Sequence, residues 1–236
     1  MSTTDIIISI ILLLSAALSY TAKKLTVAGA ITGAFVGILI YKGAGFTGLV
    51  MLALFFIAGS WATGWQLNKK AAISAAEQHT SGRTAGQVLA NGGVAALLGA
   101  YGWYSPNQAT LITLMIAGSF AAATADTLSS ELGTVYGHRF LNILTFKKDT
   151  RGLDGVVSME GTLIGLAGAL LIAFLYACSF GWSIAILWIV SAGFIGNLTD
   201  SVLGALLERK GLIGNNVVNF FNTAVGAGVC WVLINL

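Results

Sequence analysis

The sequence is poor in charge, proline, cysteine and histidine, and each shortage excludes something. Only 9% of its 236 residues are charged, while 56% are hydrophobic. A soluble domain carries about 25% charge, so a water-soluble fold of this composition would lack the polar surface to cover itself. The single proline, Pro106, leaves long stretches without a helix breaker. Two cysteines, Cys178 and Cys230, both lie in apolar runs and read as small buried hydrophobes. With only His79 and His138 beside them, no set has zinc-ligand spacing. Both histidines fall in loops and are expected to be exposed. No Ser-His-Asp or Cys-His set, no P-loop lysine motif and no GxGxxG is present. Basic residues do not interleave with aromatics, so the net charge of +3 calls for no nucleic-acid partner. The first apolar run lacks a basic leader segment and reads as a span rather than a cleaved signal.

What the sequence has is long apolar runs. About 20 apolar residues cross a hydrocarbon core of about 30 Å as a helix. Alternating strand patterns are absent, so helices and not a barrel should satisfy the backbone. The expected fold is an all-α, polytopic transmembrane helix bundle forming one domain, 1–236. The spans fall near 6–20, 25–41, 46–67, 85–104, 109–135, 162–180, 182–207 and 217–236. The first two are short, which keeps seven spans as an alternative to eight. Thirty glycines suit close contacts between helices in lipid.

Alternating the loops of eight spans sorts the charges. One side receives Lys23, Lys24, Lys69, Lys70, Arg83, Arg139, Lys147, Lys148, Arg151, Arg209 and Lys210, which is 11 of the 12 basic residues; the other receives only Lys42. The positive-inside rule places the basic side in the cytoplasm and both termini outside. The outer turns are tight. The inner loops are longer, the largest covering about 136–161, and long loops more often carry function.

The polar residues within spans gather toward the same side. A carboxylate inside a span costs about 2.5–3.5 kcal/mol and is a functional hypothesis by default. Span five ends with Asp126, Ser129, Ser130 and Gly133 on one face and Thr124, Thr127 and Glu131 on another. Asn197, Asp200, Ser201, Gly204 and Glu208 form a stripe at the end of span seven. Arg83, Gln87 and Asn91 climb one face of span four; Asn215, Asn219, Asn222 and Gly226 do so on span eight. Each stripe has a plain alternative, a polar packing seam or a solvated helix end. A faint echo between Asp126-Thr-Leu and Asp200-Ser-Val hints at duplication, but is too short to establish it. The large loop adds Lys147, Lys148, Arg151, several glycines and a helix start with Ser158, Glu160 and Thr162. Glycines and helix N-termini favour anions, and the basic side chains supply phosphate charge; the plain alternative is a basic surface loop that sets topology.

Hard cations such as Mg²⁺ take one or two carboxylates plus substrate phosphates. Asp126 and Asp200 qualify, with Glu131 and Glu160 as further candidates, while Arg83, Lys147, Lys148 and Arg151 can neutralise phosphate oxygens. Phosphoryl transfer relies mainly on positioning and charge neutralisation, so this mixture suits it.

The runs Gln87-Val-Leu-Ala-Asn91-Gly-Gly93 and Ala125-Asp-Thr-Leu-Ser-Ser-Glu-Leu-Gly133 resemble one known family, as do the 155–162 segment, Asp200-Ser201…Gly204 and the Asn-rich start of span eight. It is the integral-membrane family of the plant phytyl-phosphate kinase of vitamin E biosynthesis and of vertebrate transmembrane protein nineteen. The resemblance covers essentially the whole chain. Ser158-Met-Glu160-Gly161-Thr162 is also similar, more weakly, to an S-x-E-G-[ST] element of CTP-using phytol and dolichol kinases. The resemblance implies an isoprenoid monophosphate acceptor, a nucleoside triphosphate donor (CTP or ATP), Mg²⁺ and an isoprenoid diphosphate product. Asp126 and Asp200, with Glu131, would then hold the metal, and Arg83 and Arg151 would clamp the two phosphates being joined. Gln87, Asn91, Ser130, Lys147, Lys148, Ser158, Glu160, Thr162, Asn197, Ser201, Asn215, Asn219 and Asn222 would bind substrate or nucleotide. A transporter or flippase for an anionic or lipid-phosphate substrate is the alternative, since polar intramembrane stripes also suit a translocation path; a structural or lipid-binding role is the third.

Overall fold

The computed structural model describes residues 2–71 and 82–236. Hydroxyl side chains just ahead of the apolar runs start four helices. Ser2 and Asp5 form a reciprocal cap on α1 (Thr3–Thr21), and Thr84 and Gln87 do the same for α4 (Ala85–Tyr104). Thr26 caps α2 (Val27–Gly64) and Ser158 caps α6 (Met159–Phe180). The other helices are the short α3 (Leu67–Ala71), α5 (Ala109–Tyr136), α7 (Ala185–Leu203) and α8 (Asn215–Ile234). The architecture is an all-α polytopic bundle. Strand pairing among the described residues is confined to a two-residue antiparallel ladder, β1 (Leu141–Asn142) with β2 (Val156–Val157), inside the long loop, and to two isolated bridges.

Six helices among the described residues are long and apolar enough to cross a membrane, and one of them crosses twice. Straight, the 38 residues of α2 would reach about 57 Å. At Gly45 the backbone leaves helical geometry, with φ 59° and ψ −150°, a conformation that suits glycine. Gly29 and Gly59 then both abut Arg83, although 30 helical residues would separate them by about 45 Å. The limbs 27–44 and 46–64 are therefore an antiparallel pair. α4, less apolar than the six, runs from Arg83 to Gly99 and Gly102, which pack against Gly43. That brings the crossings to eight and leaves residues 2 and 236 at the same end. The span expected to reach residue 67 stops at Gly64, and the one expected to reach 207 changes at Gly204 into a five-residue π-helical turn, Gly204–Glu208, closed by Arg209 N–H to the Gly204 carbonyl.

α5 is the axis. It packs against α2, α4, α6, α7 and α8, and almost every residue from Ile112 to Ala125 is buried. Small residues permit this crowding. A Cβ on Gly118 would lie 2.5 Å from the Gly226 carbonyl oxygen, and one on Gly43 would collide with Gly99. Outside this core, α1 packs chiefly on α2 and exposes Ile6, Ile7, Leu13, Leu14 and Leu18, a surface suited to lipid and not to water. Exposed Tyr20, Trp61, Trp65 and Tyr136 ring one end, and Tyr101, Trp103, Tyr104 and Trp182 the other, matching two membrane interfaces.

Candidate functional site

The ends of α5 and α7, the starts of α4 and α8, and the 137–158 loop converge at one end of the bundle on a cavity of about 260 Å³. The basic residues gather at this end. The Lys24 carbonyl accepts the Arg83 N–H, and the long loop and the α7–α8 turn carry most of the rest. Lys42 alone sits at the far end, 2.8 Å from Asp5 and over the Trp103 ring.

Asp126 and Asp200 meet in this cavity. Asp126 and Asn222 flank the Asp200 carboxyl, and Asp154 lies close enough to add repulsion. Asp200 Oδ1 is buried without a hydrogen-bond partner of its own, and the wholly buried Asn222 amide lies beside the same carboxyl. Two adjacent carboxylates with an orphaned oxygen form an arrangement that a proton or a cation would relieve. That donor set fits a hard divalent ion, which needs only one or two protein carboxylates. Arg83, Gln87 and Asn91 form the α4 wall, Asn215 and Asn219 the α8 wall, and Ser130, Ser158, Asn197 and Ser201 complete the polar lining. The Arg83 guanidinium stacks 5.6 Å from the Phe55 ring and lies against Gly59. Gln87 also spends its carbonyl on the Thr84 N–H of the helix cap.

Other residues expected in the site are engaged elsewhere or lie outside the cavity. Glu131 lines the cavity but its Oε2 is 2.6 Å from the Lys70 ammonium. It is already paired with that lysine, and no three His, Cys, Asp or Glu side chains converge on a metal position among the described residues. Arg151 does not reach the cavity. It donates to the Val135 carbonyl at 3.4 Å and stacks on Phe140, tying the loop to the end of α5, where a cation suits the helix C-terminus. Lys147 and Lys148 are exposed at the loop tip. Glu160 pairs with His138 Nδ1 at 2.9 Å, and Thr162 donates to the Ser158 carbonyl. Asn222 is sealed beneath the cavity floor. His138 is exposed as expected; His79 lies outside the described residues.

The structure also supplies participants that sequence reasoning left out. Asp154 lines the cavity, together with Glu208 and Thr127 from the polar faces noted in the sequence. Asp154 gets there because Gly155, at φ +73°, docks directly on Ala205 of the π turn, where any Cβ would collide. Lys70 is 1% exposed and donates to the Ala62 and Thr63 carbonyls as well as Glu131. Nothing in Asn68-Lys-Lys-Ala71 distinguishes it from a topology-setting lysine. In the loop, Arg209 holds Asp149 at 2.5 Å. Together with the Thr150 N–H and the Asn142 amide, it keeps the Asp149 carboxyl well below the usual carboxylate range.

No solved structure matches the chain. Among curated proteins it is similar to an uncharacterized membrane protein of Methanocaldococcus jannaschii, 37% identical over 206 residues, covering 87% of this chain and 84% of the other. It is 34% identical over 199 residues to an uncharacterized membrane protein of Synechocystis, covering 82% and 76%. It is 32% identical over 213 residues to the chloroplastic protein VTE6 of Arabidopsis thaliana, covering 85% of this chain and 62% of that one. A family described as integral membrane protein DUF92 matches residues 10–227, nearly the whole bundle and every wall of the cavity, and the chain belongs to that family.

Proposed function

We propose that the chain is a membrane-embedded phosphotransferase that converts an isoprenoid monophosphate to the diphosphate with a nucleoside triphosphate. The observation that carries this reading is the Asp126–Asp200 pair, set in a polar cavity with an arginine on its wall. The plant chloroplast relative and the motif resemblance support the substrate class. The concentration of basic residues at the cavity end supports a cytosolic site, where a nucleotide is at hand.

In this reading an oxygen of the acceptor phosphate forms a bond to the γ-phosphorus of the donor. The bond from that phosphorus to the β,γ-bridging oxygen breaks, and the nucleoside diphosphate leaves with the electron pair. Mg²⁺, bound by Asp126 and Asp200, would supply neutralisation of phosphate charge. Arg83 adds a fixed positive charge that can grip phosphate oxygens in bidentate fashion. The amides of Asn215 and Asn219 line the cavity at the start of α8, and a helix N-terminus favours anions. The acceptor is already an anion, so no strong general base is required. A translocation path is less well supported. Toward the far end, Ile112, Leu114, Ile116, Phe120, Ile172 and Ile189 close the bundle with apolar packing.

The test is transfer of label from γ-labelled CTP or ATP to a panel of prenyl monophosphates by the purified protein. Labelled prenyl diphosphate is the expected product. Accumulation of unaltered substrate in sealed vesicles, with no transfer, would replace this reading with the transporter.

A further inference from the structure

The loop that walls the cavity also carries a feature the site does not use. Between β1 and Lys148 the chain makes a tight, preformed turn. Asn142 accepts the Phe146 N–H at 2.8 Å on its carbonyl and donates its own N–H to the Lys147 carbonyl at 2.9 Å. Its side-chain oxygen receives the Leu144 and Thr145 N–H groups at 3.0 and 3.2 Å. The turn places Phe146 at φ +54°, a left-handed conformation that disfavours any side chain with a Cβ and for which Gly or Asn would be the easy choice. The chain instead presents a phenylalanine there, 74% exposed, with Leu144 beside it at 41%. Nothing among the described residues covers this pair.

Next to it stand Lys147 and Lys148, both exposed and in no salt bridge among the described residues. The neighbouring acid, Asp149, cannot neutralise them because Arg209 and Asn142 hold it. The tip thus combines an apolar wedge with two uncompensated ammonium groups, and it lies at the end of the bundle marked by the Trp65–Tyr136 hydrogen bond at the aromatic belt. Apolar wedges flanked by lysines suit the interface of an anionic leaflet, where the ring and the leucine leave water and each lysine adds about five-fold in affinity.

We infer that the 144–148 tip is a membrane-surface anchor, inserting Phe146 and Leu144 into the interface and setting Lys147 and Lys148 against anionic lipid headgroups. The same loop returns through Gly152–Ser158 along the cavity, so the anchor holds the cavity wall to the leaflet from which a lipid acceptor would come. The inference rests on the turn and its surroundings and stands whether or not the chain transfers phosphate.

The test uses the full chain in lipid nanodiscs. A polarity-sensitive fluorophore goes on Phe146→Cys in a Cys178→Ser background; Cys178 is the exposed native thiol and Cys230 is buried. Emission is read in phosphatidylcholine with and without phosphatidylglycerol, and quenching is read with headgroup-depth and acyl-depth lipid quenchers. The expected result is blue-shifted emission with shallow quenching in the anionic discs. Lys147→Glu with Lys148→Glu should return the emission to its water-like position, since both residues are exposed and outside the packed core. Water-like emission in the anionic discs would overturn the anchor and point to a protein partner or open solvent. Equal insertion in neutral and anionic discs would overturn the assignment to anionic lipid.

Discussion

Lys70 offers the sharpest test of how the cavity is built. Its ammonium is buried at 1% exposure and makes three contacts: the Ala62 carbonyl at 2.8 Å, the Thr63 carbonyl at 3.0 Å and Glu131 Oε2 at 2.6 Å. The carbonyls belong to the last turn of α2, so one cation caps that helix and neutralises a carboxylate on α5. Lys70→Met keeps the aliphatic stem and removes the charge. Breaking a buried pair from one side costs about 3–5 kcal/mol, because the other charge is left uncompensated. The Glu131 side chain is 18% exposed toward the cavity and can regain water, which puts the cost near the lower end, about 3 kcal/mol. Glu131→Gln should cost about 1.5–3 kcal/mol, one charge-assisted hydrogen bond, since both carbonyls still hold the ammonium. Removing both charges should cost less than the sum of the singles, by a coupling of about 0.5–3 kcal/mol. Stability is measured by SDS unfolding from mixed micelles, followed by tryptophan fluorescence. A Lys70→Met protein within about 0.5 kcal/mol of the parent, or strictly additive singles, would refute the reasoning.

Asp126→Asn and Asp200→Asn should each abolish phosphate transfer while the proteins unfold at the parent detergent concentration; full turnover in both would remove the metal assignment. Gly118→Ala places a Cβ against the Gly226 carbonyl and 2.6 Å from the Cys230 sulfur, and overpacking of this kind should destabilise by about 1–3 kcal/mol in thermal melts. The Asp149–Arg209 pair makes a prediction with a definite sign. Its carboxyl is depressed in the folded loop, so its contribution is fully present above the unfolded value of about 3.9 and is lost as pH falls through the lower folded value. Protection of the amides at 141–149, taken relative to their intrinsic exchange rate at each pH, should therefore stay constant from neutral pH to about pH 4 and fall only below it, whereas Asp149→Asn should lower it at neutral pH. Loss of protection between about pH 5 and 6 would contradict the pairing.

The all-helical membrane fold and the gathering of polar stripes at one end were legible because both follow from local pattern. Apolar length decides what spans a bilayer, and the alternation of loops sorts the lysines and arginines. Asp126, Asp200 and Asn197 were legible for the same reason, since a carboxylate or amide within an apolar helix announces itself by its cost, and Arg83 and Asn215 showed as polar starts of apolar runs. The long loop was not legible in this way. Arg151, Lys147 and Lys148 look equivalent in sequence to Arg83, yet one binds a helix end and two face outward, because the loop's path depends on Gly155 seating on the π turn.

By itself, then, the order of residues determined the class of fold and the end at which polar groups collect, both consequences of what hydrocarbon tolerates along a single helix, and left seven crossings open beside eight. Only the tertiary structure decided which of those groups face one another. It set Asp126 beside Asp200, gave Glu131 to Lys70 and buried Asn222 under the floor. Those outcomes depend on helix rotation and depth, and these are set by glycine contacts between helices distant in the chain, Gly118 with Gly226 and Gly43 with Gly99, which no local pattern encodes.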